Sequence, residues 1–334
     1  QISSGGNHTC AISSDNNAYC WGNNSNGQLG NNSTNTSTVP VQVDTTGVLS
    51  GKTIKQISSG GNHTCAISSD NNAYCWGLNS YGQLGNGTTS SSSVPVAVTQ
   101  SGALSGLNVV DIESGSYDNT CAIASDNNAY CWGFNDSDGE LGNNNTASSA
   151  NPTAVYKSGV LAGLYIKSIS VGYYHTCAIA SDNNAYCWGY NSNGQLGNGS
   201  TTHALQPVAV DNTDNLSDLT IKDISVGNYH TCAIASDNNA YCWGYNSSGQ
   251  LGNQQTSIST SPVAVYRGGS LSSKSILQIS SGGYHTCAIA SDNNAYCWGL
   301  NSYGQLGSNN NNSSSEVVVI DSSYQTISPH LYTY

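Results

Sequence analysis

The tripeptide Cys-Trp-Gly occurs six times in this chain, its tryptophan at Trp21, Trp76, Trp132, Trp188, Trp243 and Trp298, at intervals of 55, 56, 56, 55 and 55 residues. A fixed period of this length means that the chain folds as copies of one supersecondary unit, each burying its apolar face against the next. The copies share more than the tryptophan. Each carries a segment like HTCAI, a turn Ser-Asp-Asn-Asn, the strand AYCWG and, a few residues on, the turn GQLG, which is GELG in the third copy.

Within a copy the pattern reads as four short strands. In the second, Ile54 to Ser58 alternates apolar and polar as a half-buried strand does, His63 to Ser68 is a second strand and Ala73 to Trp76 a third. Ser69-Asp70-Asn71-Asn72 between the last two is turn chemistry: short side chains that bond the local backbone and tolerate positive φ. After a stretch rich in Asn, Ser and Gly, Val94 to Val98 reads as an outer strand. Pro95 lacks a ladder donor, so it is expected at the start of an edge strand, and Pro40, Pro152, Pro207 and Pro262 recur at its position. Four strands per copy predict an all-β fold, a β-propeller of six four-stranded blades. A solenoid would have shorter coils and polar capping repeats, and here the end copies match the middle ones. The expected organisation is one propeller over residues 1–320, with repeats near 1–51, 52–107, 108–163, 164–218, 219–273 and 274–320, and a tail over 321–334.

Composition excludes several classes of function. Only 8% of residues are charged, the formal net charge is -12, and there are seven Lys and Arg in all. A nucleic-acid binder needs a basic stripe to displace counterions, and none is present. An anionic membrane surface repels such a chain, and no run of 18 or more apolar residues exists to span a bilayer. The chain opens at Gln1 within a strand pattern, which reads as a processed or trimmed product.

The segment GGNHTCAISSDNNAYCWGLNSYGQLGNGT, residues 60–88, resembles the regulator of chromosome condensation repeat family, whose signature is a Gly-Gly-x-His strand, a strand ending in Trp-Gly, then Asn-x-x-Gly-Gln-Leu-Gly. The resemblance recurs six times and covers nearly the whole chain. It implies a propeller fold but no single activity, because propellers of this family include a nuclear nucleotide-exchange factor, a secreted β-lactamase inhibitor and bacterial surface proteins. Two features depart from the family. Its best-known members have seven blades against six repeats here, and the cysteine pair occupies positions that are apolar in the intracellular members. Exchange-factor activity does not carry over, since no basic surface for chromatin is present.

All 12 cysteines fall in the repeat: Cys10 and Cys20, Cys65 and Cys75, Cys121 and Cys131, Cys177 and Cys187, Cys232 and Cys242, Cys287 and Cys297. The partners flank the same hairpin turn, ten positions apart, which opposes them across an antiparallel pair within disulfide reach. Each bridge closes a short loop and contributes about 2 to 3 kcal/mol in the chain-entropy account. Zinc is the rival reading, with His8, Cys10 and Cys20 as ligands. It supplies only three ligands per copy, and the third copy has Asn119 in place of the histidine. Disulfides, and so an oxidising compartment, are expected.

No constellation reads as catalytic. His8, His63, His175, His230 and His285 recur in five of six copies, as a residue bonding a neighbouring blade's backbone would; the tryptophans read as core and the turn aspartates as turn formers. A reaction centre breaks symmetry, so the breaks in the repeat matter most. The third copy is the most distinct: Asp111, Glu113, Asp118, Asp126, Asp136, Asp138 and Glu140 supply seven of 19 acidic residues. Alternating oxygens beside Gly139 make Asp136, Asp138 and Glu140 a candidate calcium site or partner contact, against drift in a solvated loop; no other cofactor is expected. The loops after GQLG hold glycosylation acceptor patterns at Asn31, Asn32, Asn35, Asn86, Asn144, Asn198, Asn311 and Asn312, with Asn32, Asn35, Asn86, Asn144, Asn198 and Asn312 as the candidates retained. Tyr81, Phe134, Tyr190, Tyr245 and Tyr303 sit at or near equivalent positions and read as repetitive, not as anchors for one target. In the tail, Gln325 to Ser328 echoes Gln1-Ile2-Ser3 and is expected to complete the first blade or to add a strand to a neighbouring molecule.

The functional expectation is an extracellular or cell-surface structural or adhesive protein that is not an enzyme, with itself as partner in a filament or layer. The alternative is a secreted monomer that binds or inhibits another extracellular protein through its loop face. Neither nucleic acid nor membrane insertion is expected.

Overall fold

The computed structural model describes residues 1–320; the tail 321–334, where a closing or intersubunit strand is expected, lies outside them. The chain forms six four-stranded antiparallel sheets, each with its strands in sequence order, and these are the six blades of a propeller. Apart from strands the described residues contain only two single-turn 3₁₀ segments. Two compact units are distinguished, Gln1–Tyr173 with Leu205–Pro207, and Tyr174–Ala204 with the chain from Val208. The first unit holds sheets one to three, the second sheets five and six, and the fourth sheet is divided between them.

In the first sheet the strands are β1 (Ile2–Ser4), β2 (His8–Ile12), β3 (Ala18–Gly22) and β4 (Ser37–Gln42), and in the second β5 (Ile54–Ser59), β6 (His63–Ser68), β7 (Ala73–Gly77) and β8 (Ser92–Ala97). The Ser-Asp-Asn-Asn turn works as its chemistry requires. Asp15 accepts the Asn17 N–H at 3.0 Å, while Asn16 takes the left-handed conformation at φ 61°. Asn71, Asn127, Asn183, Asn238 and Asn293 do the same in the other copies. That turn sets the register of the central hairpin, so Cys65 lies opposite Cys75, with Thr64 opposite Trp76 and His63 opposite Gly77.

The outer strand differs from expectation. β8 begins two residues before Val94, so Pro95 is its fourth residue and not at its start. Its missing N–H is tolerated because the register breaks there. Val96 faces Cys75 and Ser92 faces Gly77, which leaves three residues of β8 opposite Trp76 alone.

Neighbouring sheets within each unit are joined by one recurring set of bonds. The indole N–H of Trp76 donates to the main-chain carbonyl of Gln28 in the preceding sheet's GQLG turn, at 3.0 Å, and the Thr64 hydroxyl donates to the same oxygen at 2.9 Å. With its proton committed there, that hydroxyl accepts from Nε2 of His8 at 2.7 Å, so the His8 ring carries its proton on Nε2. The partner of the repeated histidine is therefore a threonine side chain, and the backbone is reached through it. The clasp recurs with His63, Thr120, Gln83 and Trp132, with His175, Thr231, Gln195 and Trp243, and with His230, Thr286, Gln250 and Trp298. Burial pushes His8 down to about 4 and His63, His175 and His230 down to about 3, so all four rings stay neutral.

Apolar side chains surround each clasp. Between the first two sheets Cys10, Ala18, Cys20, Leu29 and Val43 pack against Leu49, Ile54, Ile57, Ala66, Tyr74 and Trp76. Gly30, Gly85, Gly197 and Gly252, closing four of the GQLG turns, lie under the next sheet's indole, where a Cβ on Gly85 would come within 2.6 Å of Trp132. Gly106 has a similar positive φ, but nothing lies within 4 Å of its Cβ position. Gly106→Ala is accordingly expected to cost about 1 kcal/mol, from backbone strain alone, and Gly85→Ala about 3 kcal/mol or more, because it parts the clasp. Urea denaturation of the two variants checks this, and equal losses would show that the tryptophan contact contributes nothing.

Candidate functional site

The hairpin end opposite the Ser-Asp-Asn-Asn turns is where the copies differ in chemistry. There the residue after Trp-Gly donates its N–H to the carbonyl of the residue just before β2 or its equivalent: Asn23 to Asn7, Leu78 to Asn62, Phe134 to Asp118, Tyr190 to Tyr174, Tyr245 to Tyr229 and Leu300 to Tyr284. Amides fill these places in the first copy and aromatic rings dominate in the fourth and fifth. Register thus brings together side chains sixteen positions apart in sequence.

In the second unit Tyr174, Tyr190, Tyr229, Tyr245 and Tyr284 form one continuous half-buried cluster. Tyr229 is its hub, with ring centroids 5.1 Å from Tyr174, 6.1 Å from Tyr245 and 5.8 Å from Tyr284. Burial, followed by a hydrogen bond with Tyr174, holds the Tyr229 hydroxyl well above the ordinary tyrosine range. In the first unit Phe134 makes edge-to-face contacts with Tyr81 and with Tyr117 at 4.9 Å, and Tyr117 lies tilted against Tyr173 at 4.6 Å. Of the five aromatics that read as repetitive, Phe134, Tyr81, Tyr190 and Tyr245 thus belong to clusters, while Tyr303 is 92% exposed. Sequence reasoning misses Tyr117, Tyr173, Tyr174, Tyr229 and Tyr284; the available signal is their place beside the repeated histidine or Asn119.

Cations are segregated from this end. Lys and Arg side chains bond to the turns at the other end of the hairpins: Lys52 to Asp70 and Lys274 to Asp292 as ion pairs, Lys55 to Asn71, Lys157 to Asn128, Lys222 to Asn238 and Arg267 to Asn239. The aromatic end is suited to stack on apolar or planar groups and to hydrogen-bond through phenol hydroxyls.

The acidic residues of the third copy separate into four places. Asp111 and Glu113 lie on the first strand of the third sheet, accepting from Gln56 Nε2 and the Ser58 hydroxyl, and burial, then the Asp111 charge, pushes Glu113 up to about 8. Asp118 accepts from Gln83 Nε2, and Asp126 accepts from the Tyr130 hydroxyl in its turn. Asp136, Asp138 and Glu140 do come together, with carboxylate oxygens within 4.8 Å. Glu140 stands where other copies have Gln. Its Oε2 accepts the Asp136 N–H at 3.0 Å, from four residues before it, whereas Gln83 Oε1 accepts the Tyr81 N–H from two residues before, and the Asp138 N–H goes instead to Asp136 Oδ1. Burial, with the neighbouring Asp136 and Asp138 charges adding to it, pushes Glu140 up to about 8.

The cysteines pair within each hairpin. Cys10 is bonded to Cys20, Cys65 to Cys75, Cys121 to Cys131, Cys177 to Cys187, Cys232 to Cys242 and Cys287 to Cys297, each pair with Cα atoms 4.1 Å apart. The strand register places every pair directly opposite: Cys131 faces Cys121, Cys187 faces Cys177, Cys242 faces Cys232 and Cys297 faces Cys287, as in the first two copies. No free cysteine remains, and the zinc reading falls with that. Of the glycosylation candidates, Asn32, Asn35, Asn144 and Asn312 are exposed, while Asn86 and Asn198 are half-buried and accept from Asn79 and Asn191. Asn79 and Asn191 are the asparagines of Asn-x-x-Gly-Gln-Leu-Gly. Buried, they cap the turn through Leu84 and Leu196 N–H and hold the long loop through its carbonyls, a role not visible in sequence.

The chain matches the family model described as the RCC1-like domain over residues 1–329. It is 32% identical to the ultraviolet-B receptor UVR8 of Arabidopsis thaliana over 92% of this chain and 66% of that protein. It is 29% identical to the E3 ubiquitin-protein ligase HERC2 of Homo sapiens over 88% of this chain and 6% of that protein. The chain thus spans less than two thirds of the length of either curated relative. Among solved structures, human WBSCR16 aligns with a TM-score of 0.81 at 20% identity, covering 96% of this chain and 80% of that one, and yeast RCC1 (Prp20) bound to Kap60 with 0.80 at 21% identity, covering 96% and 74%. At these identities the structures show a shared fold.

Glu140→Gln tests the third-copy loop. Below about pH 4.5 Glu140 is protonated folded or unfolded, so the variant matches the parent. Between pH 4.5 and about 8 the unfolded chain releases a proton that the fold retains, and the parent loses stability that the variant keeps. The variant is expected to gain about 1–3 kcal/mol by pH 8 in thermal melts. A parent stabilised by millimolar calcium, with that gain lost in the variant, is the opposite result.

Proposed function

This chain belongs to the RCC1-like domain family, and from that premise we propose that it is a non-catalytic, extracellular structural propeller, a subunit of a surface filament or layer. The observation that carries this reading is that each of the six sheets is cross-linked internally by its own disulfide. Such bridges persist in oxidising compartments and are reduced in the cytosol. Five of the bridges are wholly buried; they and the clasps concentrate the chain's distinctive chemistry on holding sheets together. Sparse charge and exposed acceptor asparagines at 32, 35, 144 and 312 suit a glycosylated, durable surface.

Alkylation of intact, unreduced cells is expected to label none of the 12 cysteines, and a protease added outside should reach the protein. Ready labelling of these thiols in freshly opened cells would place the chain in a reducing compartment and overturn the reading.

The tyrosine cluster of the second unit favours a second reading, a secreted module that binds another extracellular protein through its loop face. Yeast RCC1, which shares this fold, has been solved bound to Kap60. Half-buried tyrosines that lose little freedom on contact are suited to such binding. Tyr229→Ala with Tyr245→Ala is expected to abolish capture of a partner from the native surface, at least tenfold in affinity, with the fold retained. Unchanged capture would remove this reading.

A further inference from the structure

The clasp needs two dissimilar halves, and the described chain leaves one half over at each end. The first sheet carries the half that follows: Thr9 and Trp21 stand where Thr64 and Trp76 stand in the second. The last sheet carries the half that precedes: His285 stands where His230 does, and the Gln305 carbonyl where Gln250 does. Among the described residues none of these four makes the clasp that its counterparts make.

The apolar surfaces around these halves are open too. Ile2 is 67% exposed, whereas Ile57, at the same place in the second sheet, is 1% exposed. Ala11, Tyr19 and Trp21 are half-buried where Ala66, Tyr74 and Trp76 are buried. On the last sheet Cys287 and Ile289 are half-buried and line a hollow of 320 Å³ with Asp223, Gln278, Ser280 and Ala295, whereas Cys232 and Ile234 are packed against the following sheet. Close approaches that mark the internal joints are missing as well. Gly252 lies against Trp298 and Gly249 against Ser315, but Gly307 meets only Ile320 and Gly304 only Asn311.

We propose that these two faces are the halves of one joint between molecules, the last sheet of one chain seating on the first sheet of a second copy to give head-to-tail polymers. Resting on the structural reading above, this supplies its contact. The occupant is chosen by chemistry: a face presenting an indole N–H, a threonine hydroxyl and exposed Ile2 is complementary to one presenting a carbonyl, a histidine Nε2 and an open apolar hollow. Every internal joint described is built from that pair. Because the two faces differ, the contact is heterologous and propagates.

Two variants separate the halves: Thr9→Val with Trp21→Ala removes the first, and His285→Ala with Gly307→Ala blocks the second. Light scattering of the full chain is expected to give masses rising with concentration in multiples of 34.6 kDa, and each variant alone to stay at one chain. Mixed, the variants retain one good face each and should form dimers and nothing longer. A readout on the unmodified protein stands beside these: oxidative footprinting of Trp21 should fall severalfold as concentration rises, while that of buried Trp76 stays constant. A full chain that remains monomeric at every concentration overturns both the joint and the filament reading. A full chain that polymerises while both variants also polymerise, or while Trp21 stays oxidisable, overturns the joint alone and leaves the structural reading standing.

Discussion

The main-chain carbonyl of the turn glutamine at each described joint, from Gln28, Gln83, Gln195 or Gln250, is the atom on which this architecture depends. It accepts two hydrogen bonds from the next sheet, from an indole and a threonine hydroxyl, and the threonine is oriented in turn by a histidine of the sheet that owns the carbonyl. Both lone pairs are used in a dry interface, where an unpaired carbonyl costs about 1–3 kcal/mol. The arrangement is directional as well as stabilising. A sheet can meet its neighbour in only one orientation if indole, hydroxyl and imidazole are all to find partners, so the clasp specifies how sheets stack while the disulfides specify how each sheet folds.

These two constraints differ in how much sequence reveals. The central hairpin of each copy is legible: its register from the Ser-Asp-Asn-Asn turn, the left-handed asparagine, and from these the pairing of Cys65 with Cys75. All of that is set by residues at most ten positions apart. The clasp is not legible, because His8 and Thr64 are 56 positions apart and the repeat hides which copy a residue serves. Strict recurrence shows that a histidine is structural without showing its partner. Pro95 is misplaced from sequence for a related reason. Its position in the strand depends on a register break opposite Trp76 that only the paired strand reveals.

The candidate sites show the same limit from the other side. Counting acids along the chain groups seven residues of the third copy, but strand alternation and turns disperse them, and only the three in one loop meet. The aromatic cluster runs the opposite way. Tyr174 and Tyr190 are ordinary as sequence neighbours, yet hairpin register sets them side by side and the next copies extend the row. Near-identical repeats make a rigid frame, and what varies at the two ends of the hairpins gives that frame its chemistry: cations bonded to turns at one end, phenols at the other.

The coupling between His63 and Thr120 tests the clasp most directly, since both lie in one unit and their side chains meet at 2.9 Å. A double-mutant cycle of His63→Ala and Thr120→Val, read by urea denaturation, should give a coupling energy of about 1–2 kcal/mol, with Thr120→Val alone already costly because it strips the Gln83 carbonyl of a donor. Additive losses, with no coupling, would mean that histidine and threonine act independently and that the clasp is not the concerted unit described.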